Sequence, residues 1–460
     1  MSYIEDTIAA ISTPPGSGGI GIIRISGKES VAIANKIFCM ANGRLGDFVL
    51  NMPSHTIKYG FIRDPETGEI LDECMLTRMN APNTYTKEDI IEINCHGSYA
   101  VLRRVLELVF RLGARGAEPG EFTKRAFING RIDLSEAEAV MDLINSETEE
   151  SRKAAINQLD GKLSKQIERI RQGLVSVIAE IEVNIDYPEY EAELVTAEVT
   201  MDTLNKVILE LKELSNSYKH GRLIREGLKI TIAGKPNVGK SSLMNVLAGY
   251  NRAIVSSIPG TTRDTIEEYI EIDGIPVILT DTAGIRETED VIEQIGVKRA
   301  EEKIEEADLV IYMVDSTDPN LDNEILSTKK PLIVILNKID IDTNYLNKLK
   351  DELKNYDVIA TSLTEDIGVK EVFSRIKEYF FEEKVTINSE NIITNARHKD
   401  LVDKSLLSLT KAIENYKSGM SLDLIAFDIW NGVNFLGEIT GASVNEEVLD
   451  NIFSRFCLGK

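Results

Sequence analysis

The stretch Gly234-Lys235-Pro236-Asn237-Val238-Gly239-Lys240-Ser241 constrains the fold of this 460-residue chain more than any other. It follows the apolar run Leu228-Lys229-Ile230-Thr231-Ile232-Ala233 and opens onto the helical pattern Ser242-Leu243-Met244-Asn245-Val246-Leu247-Ala248. A strand, a glycine-bounded loop and a helix in that order predict a phosphate cradle. Two glycines let successive backbone N–H groups turn inward, and the new helix directs its positive dipole end to the same place. Lys240 is then set to reach the β- and γ-phosphates, and the Ser241 hydroxyl to ligate Mg²⁺. Asn237, Val238, Gly239, Lys240, Ser241 and Ser242 are therefore expected to line a nucleotide.

Further parts of such a site follow in chain order. Asp281-Thr282-Ala283-Gly284 closes a strand-like run, which suits Asp281 to a Mg²⁺-bound water and the Gly284 N–H to the γ-phosphate. Asn337-Lys338-Ile339-Asp340 ends another. A carboxylate there can accept from N1–H and the exocyclic amine of guanine, whereas adenine would leave that charge unpaired. Ser362, within Thr361-Ser362-Leu363, stands where a main-chain N–H would meet guanine O6. The expected ligand is GTP. Two departures from a Ras-type site bear on hydrolysis. Ile285 occupies the position of the glutamine that orients the attacking water, and an aliphatic side chain cannot replace it. Asn237 carries an amide oxygen that either stabilises the loop or coordinates a monovalent cation whose charge would act at the transition state.

Length alone implies two or three domains. Residues 1–120 read as mixed α/β, with strand-like runs at 20–25, 55–62 and 90–94, a hairpin turn at Asp64-Pro65-Glu66-Thr67-Gly68 and a helix over 99–112. Residues 121–220 are almost wholly helical: Ser135-Glu136-Ala137-Glu138 reads as a capping box, and Pro188 ends a later helix. From 228 to about 380, apolar runs alternate with helical patterns, predicting a parallel sheet covered on both faces. Helical pattern returns after 385. The order fits either a nucleotide domain inserted into a helical one or three successive domains.

A net charge of −23 opposes nucleic-acid binding through the global field and leaves a local patch or a partner's surface. The absence of a long apolar run or a leader-like start leads us to expect a cytoplasmic protein without a membrane. Cys39, Cys74, Cys95 and Cys457 lack paired spacing, so neither disulfides nor zinc are indicated.

The chain resembles the bacterial and organellar tRNA modification GTPases of the MnmE (TrmE) family over essentially its whole length. The motifs that carry this are Pro14-Pro15-Gly16, Pro119-Gly120-Glu121-Phe122-Thr123-Lys124-Arg125-Ala126-Phe127, Gly130-Arg131-Ile132-Asp133-Leu134-Ser135-Glu136-Ala137-Glu138-Ala139, Gly260-Thr261-Thr262-Arg263-Asp264 and Cys457-Leu458-Gly459-Lys460. The resemblance implies a folate-binding α+β amino-terminal dimerisation domain (1–120) and a helical domain in two parts (121–221 and 385–460). A Ras-like P-loop G domain with a doubly wound, mostly parallel sheet (222–384) would be the insert.

It also implies K⁺-stimulated GTP hydrolysis coupled to G-domain dimerisation in a homodimer. An FAD-binding partner of the MnmG/GidA type would join it in a heterotetramer, with tRNA held mainly through that partner. The product would be an aminomethyl or carboxymethylaminomethyl group at C5 of the wobble uridine, with a tetrahydrofolate derivative supplying one carbon. Residue by residue, Ser256, Ser257, Ile258, Pro259, Gly260, Thr261 and Thr262 match the loop over the nucleotide. Asn237, together with Ser256, Ile258 and Thr261 of that loop, resembles the K⁺ ligands, and Ser241 and Thr262 resemble the Mg²⁺ ligands. Thr282 and Ala283 match the segment beside the γ-phosphate. Glu293 matches the distant glutamate that orients water. Arg24, Glu92, Arg131 and Lys460 match folate-binding positions, and Cys457 is either a chemical or folate-proximal residue or a small buried thiol. Cys95-His96-Gly97-Ser98 stands where the family often has His-Gly-Gly. A ribosome-assembly GTPase would share Asn237 and the 260–262 loop but needs a basic RNA-binding module, and a membrane-associated GTPase needs a basic amphipathic helix; neither is apparent.

Overall fold

The computed structural model describes residues 6–40, 44, 46–186, 193–250, 267–281, 301–342, 345–381 and 392–460. The chain divides into two compact units, Met1–Met141 with Asn434–Lys460 and Asp142–Val433.

In the first unit, β1 (Ile8–Ile11), β2 (Gly18–Ser26), β3 (Phe38–Cys39), β4 (Thr56–Arg63), β5 (Ile70–Met79), β6 (Ile90–Gly97) and β7 (Arg115–Gly116) form one sheet. Its order is β3-β4-β5-β6-β2-β1-β7, antiparallel throughout except for β1 beside β7. The expected turn between β4 and β5 forms because Asp64 Oδ1 accepts the Glu66 and Thr67 N–H groups (2.9 and 3.4 Å). Side chains alternate across the strands. Ile23, Ile25, Leu76, Ile91 and Ile93 enter a core with Val31 and Ile33 of helix Ser30–Ile37 and Val105 and Leu108 of helix Tyr99–Arg111. On the opposite face the register aligns Ile57, Thr77, Glu92 and Arg24, and beside them Tyr59, Met75, Asn94 and Ile22.

Helix Glu121–Ile128 is anchored by Arg125, whose side chain is 1% exposed and bonds Asp6 (2.6 Å), Glu121 (3.0 Å) and Glu88 (3.1 Å). The next helix, Leu134–Ile144, starts two residues earlier than a cap at Ser135 would give. Asp133 Oδ1 accepts the Glu136 N–H and Glu136 Oε2 accepts the Asp133 N–H (2.9 Å each), so the reciprocal cap belongs to Asp133 and Glu136. Both Ser135 and Asp133 are capping types, and the buried Leu134 decides between them by entering a core with Leu449, Phe453 and Phe456.

In the second unit, helix Lys162–Asp186 runs to the edge of the described residues, so the expected stop at Pro188 lies outside them, and the 34-residue helix Glu193–Glu226 packs against Ala396–Lys417. Ser215 donates to Asp403 (2.7 Å) and the Ile393 N–H to Ser217 (3.0 Å), tying segments from before and after the α/β region. That region holds β8 (Leu228–Gly234), β9 (Glu267–Ile272), β10 (Ile275–Asp281), β11 (Leu309–Asp315), β12 (Leu332–Asn337) and β13 (Asp357–Ala360), ordered β13-β12-β11-β8-β10-β9. Every pairing is parallel except β9 with β10.

Strand β12 is buried at every position, as a strand covered on both faces must be. Ile311 and Met313 pack toward the side of Leu243 and Ile376, while Val310, Tyr312 and Val314 pack toward Leu349 and Leu353. The doubly wound, mostly parallel sheet follows. Because β10 lies on one side of β8 and β11 on the other, the connections diverge at the carboxyl end of β8, where such sheets bind ligands. No helix among the described residues is long and apolar enough to cross a membrane.

Candidate functional site

The carboxyl ends of β8, β10, β11 and β12 bring Gly234, Asp281, Asp315 and Asn337 to one edge of the sheet. The loop after β8 leads into helix Lys240–Tyr250. Lys240 is buried and its Nζ donates to the Gly234 and Lys235 carbonyls (2.9 Å each), laying the ammonium across the loop. Asn237 is exposed and left-handed, with φ +64°. Gly239 has φ +109°, and a Cβ there would lie 2.4 Å from Asn337 Nδ2, so only glycine allows that approach.

Asn337 uses it. Its Nδ2 donates to the Val238 carbonyl (2.8 Å), and its Oδ1 accepts from the Thr361 hydroxyl (3.2 Å). The side chain thus braces the phosphate loop against the 361–364 loop, a role that no spacing in the sequence announces. Ser241 Oγ donates to Asp281 Oδ2 at 3.3 Å. A hydroxyl and a carboxylate converging in this way fit the donor set that Mg²⁺ prefers.

Beyond β12, Asp340 is exposed and faces the 361–364 loop. Thr364 Oγ1 donates to Asp340 Oδ2 (3.4 Å), and Ser362 Oγ lies 3.0 Å from Thr364 Oγ1. The Ser362 hydroxyl is the chief cause holding the Asp340 carboxyl below the ordinary aspartate range. The Ser362 N–H donates to the Ile367 carbonyl (3.1 Å), closing the loop. Lys338 has φ +66°, and its Nζ donates to Asp315 Oδ2 at 2.6 Å. Asp315 also accepts from the Thr317 N–H (2.9 Å) and hydroxyl (2.7 Å). Burial works to raise the Asp315 carboxyl, but the bonds from Lys338 and Thr317 outweigh it and hold it below its ordinary value. Ser256, Ser257, Ile258, Pro259, Gly260, Thr261, Thr262, Thr282, Ala283, Gly284, Ile285 and Glu293 lie outside the described residues.

A second cluster forms within the unit that holds the antiparallel sheet. Arg24 on β2 and Glu92 on β6 are cross-strand partners, and Arg24 Nε and Nη2 both donate to Glu92 Oε1 (2.9 and 2.8 Å). Arg24 Nη1 also donates to the Gly459 carbonyl (3.4 Å). Its guanidinium carbon is 5.6 Å from the ring centroids of Tyr85 and Phe122, and that of Arg131 is 4.7 Å from Tyr85. Burial, with the Arg24 charge adding to it, draws the Lys460 ammonium below the ordinary lysine range, while Glu92 opposes the shift. All four expected residues are therefore together, although Arg24 and Gly459 stand 435 positions apart.

Gly459 makes this possible: its φ is +88°, and a Cβ there would lie 2.4 Å from the Ile11 carbonyl. Tyr85 was not foreseen; its loop between β5 and β6 carries no signal beyond an aromatic among polar residues. The Cys457 thiol is exposed rather than a small buried one, and its carbonyl accepts the Gly120 N–H (3.4 Å). Cys39, Cys74 and Cys95 are buried; burial pushes the Cys95 thiol up to about 12 and raises that of Cys74, so both are poor nucleophiles.

Comparison with known proteins bears on both clusters. The family described as MnmE helical domain matches residues 134–457, and that described as GTP-binding protein TrmE N-terminus matches residues 7–131. The tRNA modification GTPase MnmE of Acetivibrio thermocellus is similar, with 53% identity over 100% of both chains. That of Pediococcus pentosaceus is 47% identical over 99% of this chain and 98% of its own, and that of Enterococcus faecalis 44% identical over 99% and 98%. Among solved structures, the G domain of the T. maritima FeoB iron transporter has 31% identity, covering 33% of this chain and 98% of that one, with a TM-score of 0.26.

Proposed function

The chain belongs to the tRNA modification GTPase MnmE family, and from that premise we propose how its GTP hydrolysis is stimulated and what chemistry it serves. Hydrolysis is K⁺-stimulated and coupled to dimerisation of the G domains. With an FAD-binding partner of the MnmG/GidA type and a reduced folate as one-carbon donor, the protein acts on C5 of the wobble uridine of certain tRNAs. The domain divisions that go with this reading fall near residues 120, 221 and 384.

One observation carries the folate part: Glu92, Lys460 and Arg131, from three separate segments, gather about Arg24, the last of them across the Tyr85 ring that both arginines touch. Glu92 commits one carboxylate oxygen to Arg24, which leaves the other to accept from a pterin amide and amine. Cations suit the anionic glutamyl tail. Dimerisation through the same domain is supported by Ile57, Tyr59 and Met75, which are 60%, 49% and 52% exposed on the sheet face shared with Arg24 and Glu92.

In the G domain, Lys240 grips the β- and γ-phosphates, Asp340 selects guanine, and Asn337 holds the phosphate and base loops in register. Mg²⁺, held by Ser241 and Thr262, would neutralise phosphate charge, and K⁺, held by Asn237 with Ser256, Ile258 and Thr261, would add positive charge at the transition state. Glu293 orients the water that Ile285 cannot. Cys457, exposed beside Lys460, would serve as a chemical or folate-proximal residue. Nucleoside analysis of tRNA from a deletion strain tests the whole reading: unmodified wobble uridine is expected, and unaltered tRNA would refute it.

A further inference from the structure

We propose that Tyr85 is a positioning residue for the second cluster, its ring holding the Arg24 and Arg131 guanidinium groups in place before an anionic ligand arrives. The proposal rests on the folate reading given above. The two arginines come from different elements, β2 and the turn after helix Glu121–Ile128, yet their guanidinium carbons lie 5.6 and 4.7 Å from one ring centroid. Both distances are within the range at which an aromatic face attracts a cation.

Two like charges around one ring repel each other, and the structure compensates only one of them with a carboxylate, Glu92 on Arg24. Among the described residues Arg131 has no ion-pair partner; the Tyr85 ring is what it rests on. That ring is itself fixed to the segment bearing Arg131. Tyr85 Oη lies 2.8 Å from the Thr123 hydroxyl, Asn129 Nδ2 donates to the Thr86 carbonyl (2.6 Å), and Lys87 Nζ donates to the Gly130 carbonyl (2.9 Å). An arginine ordered in advance loses less side-chain freedom on binding, and the saving appears directly in affinity. The net excess of positive charge, from Arg24, Arg131 and Lys460 against Glu92, suits a ligand with more than one carboxylate.

The test is calorimetric titration of the full-length protein with 5-formyltetrahydrofolate, a stable reduced folate. Tyr85→Leu, which removes the π face, is expected to weaken binding about tenfold. Tyr85→Phe keeps the face and loses only the Thr123 contact, so it should bind within about twofold of the original protein, a rescue that a purely structural role for the hydroxyl would not give. Arg131→Lys keeps the charge but not the flat guanidinium. It should cost a similar factor alone and much less when added to Tyr85→Leu, because the two changes remove one interaction. Unchanged affinity in Tyr85→Leu, or equal losses in the Leu and Phe variants, overturns the proposal. If Tyr85→Leu does not fold, Arg131→Lys decides, and retained affinity there overturns it. Failure of the unmodified protein to bind reduced folate sinks the folate reading itself, before any variant is made.

Discussion

Replacing Asn337 with alanine probes the brace between the two nucleotide loops. The residue is 4% exposed, and its amide serves the Val238 carbonyl at 2.8 Å and the Thr361 hydroxyl at 3.2 Å. Both partners belong to buried residues, so truncation leaves two polar groups without their bonds, at about 1–3 kcal/mol each. Partial relaxation brings the expected total to ~2–4 kcal/mol, and most of it should fall on the order of the phosphate loop rather than on the sheet beneath. Nucleotide affinity then drops by about 30- to 1,000-fold. Asn337→Asp is the sharper variant: it keeps an acceptor for Thr361 but sets a carboxylate oxygen against the Val238 carbonyl, and it should be at least as damaging. Stopped-flow dissociation of a fluorescent GDP analogue measures the effect, and urea unfolding separates it from global destabilisation. Binding within twofold of the unmodified protein in Asn337→Ala would show that the brace does not hold the loop.

Arg125→Ala breaks a buried charge cluster and should cost ~3–5 kcal/mol in urea unfolding. Burial works to raise the Glu121 carboxyl, but Arg115, the Glu118 N–H and Arg125 together hold it below its ordinary 4.5. Its stabilisation is therefore complete above pH 4.5 and is lost as the pH falls through the depressed folded value, and an acid titration of Arg125→Ala should show a shallower loss. Gly459→Ala forces a side chain toward the Ile11 carbonyl at an unfavourable φ, so reduced-folate affinity should fall by about tenfold or more by calorimetry. GTP turnover should rise steeply in K⁺ over Na⁺, and equal rates in the two salts would remove the role given to Asn237. Glu293→Ala should lose most turnover while its GTP affinity, measured by equilibrium binding, stays near that of the unmodified protein.

The elements read most directly from the sequence are those whose cause is local. The strand, loop and helix around Gly239 are specified by adjacent residues. The inward runs of β11 and β12 are apolar enough to read as strands buried on both faces. Strand β9, Glu-Glu-Tyr-Ile-Glu-Ile, was not singled out because half its residues are carboxylates; it forms at the sheet edge, where one row of side chains stays wet. Strand β13 has only four residues, too few for a period to show. At the helix Leu134–Ile144 two overlapping caps were possible, and burial of Leu134 in a core completed by residues 449–456 selected the earlier one. The same limit applies to the sites. Lys240, Ser241, Asp281 and Asp340 follow from spacing, whereas the brace by Asn337, the clasp of Lys338 by Asp315 and the ring shared by Arg24 and Arg131 depend on segments that meet only once folded.

The 2.4 Å between the Ile11 carbonyl and a notional Cβ on Gly459 has a consequence during translation. The antiparallel sheet leaves the ribosome early, but the backbone that completes its binding corner emerges 435 residues after Arg24, a delay of roughly 20–90 s at 5–20 residues per second. Throughout that interval Arg24 lacks its contact with the Gly459 carbonyl. The nascent chain thus completes this corner as a late step, at a closure cost that grows only logarithmically with the length of the loop. A molecule stalled within the helical or G-domain segments would carry a formed sheet that lacks it.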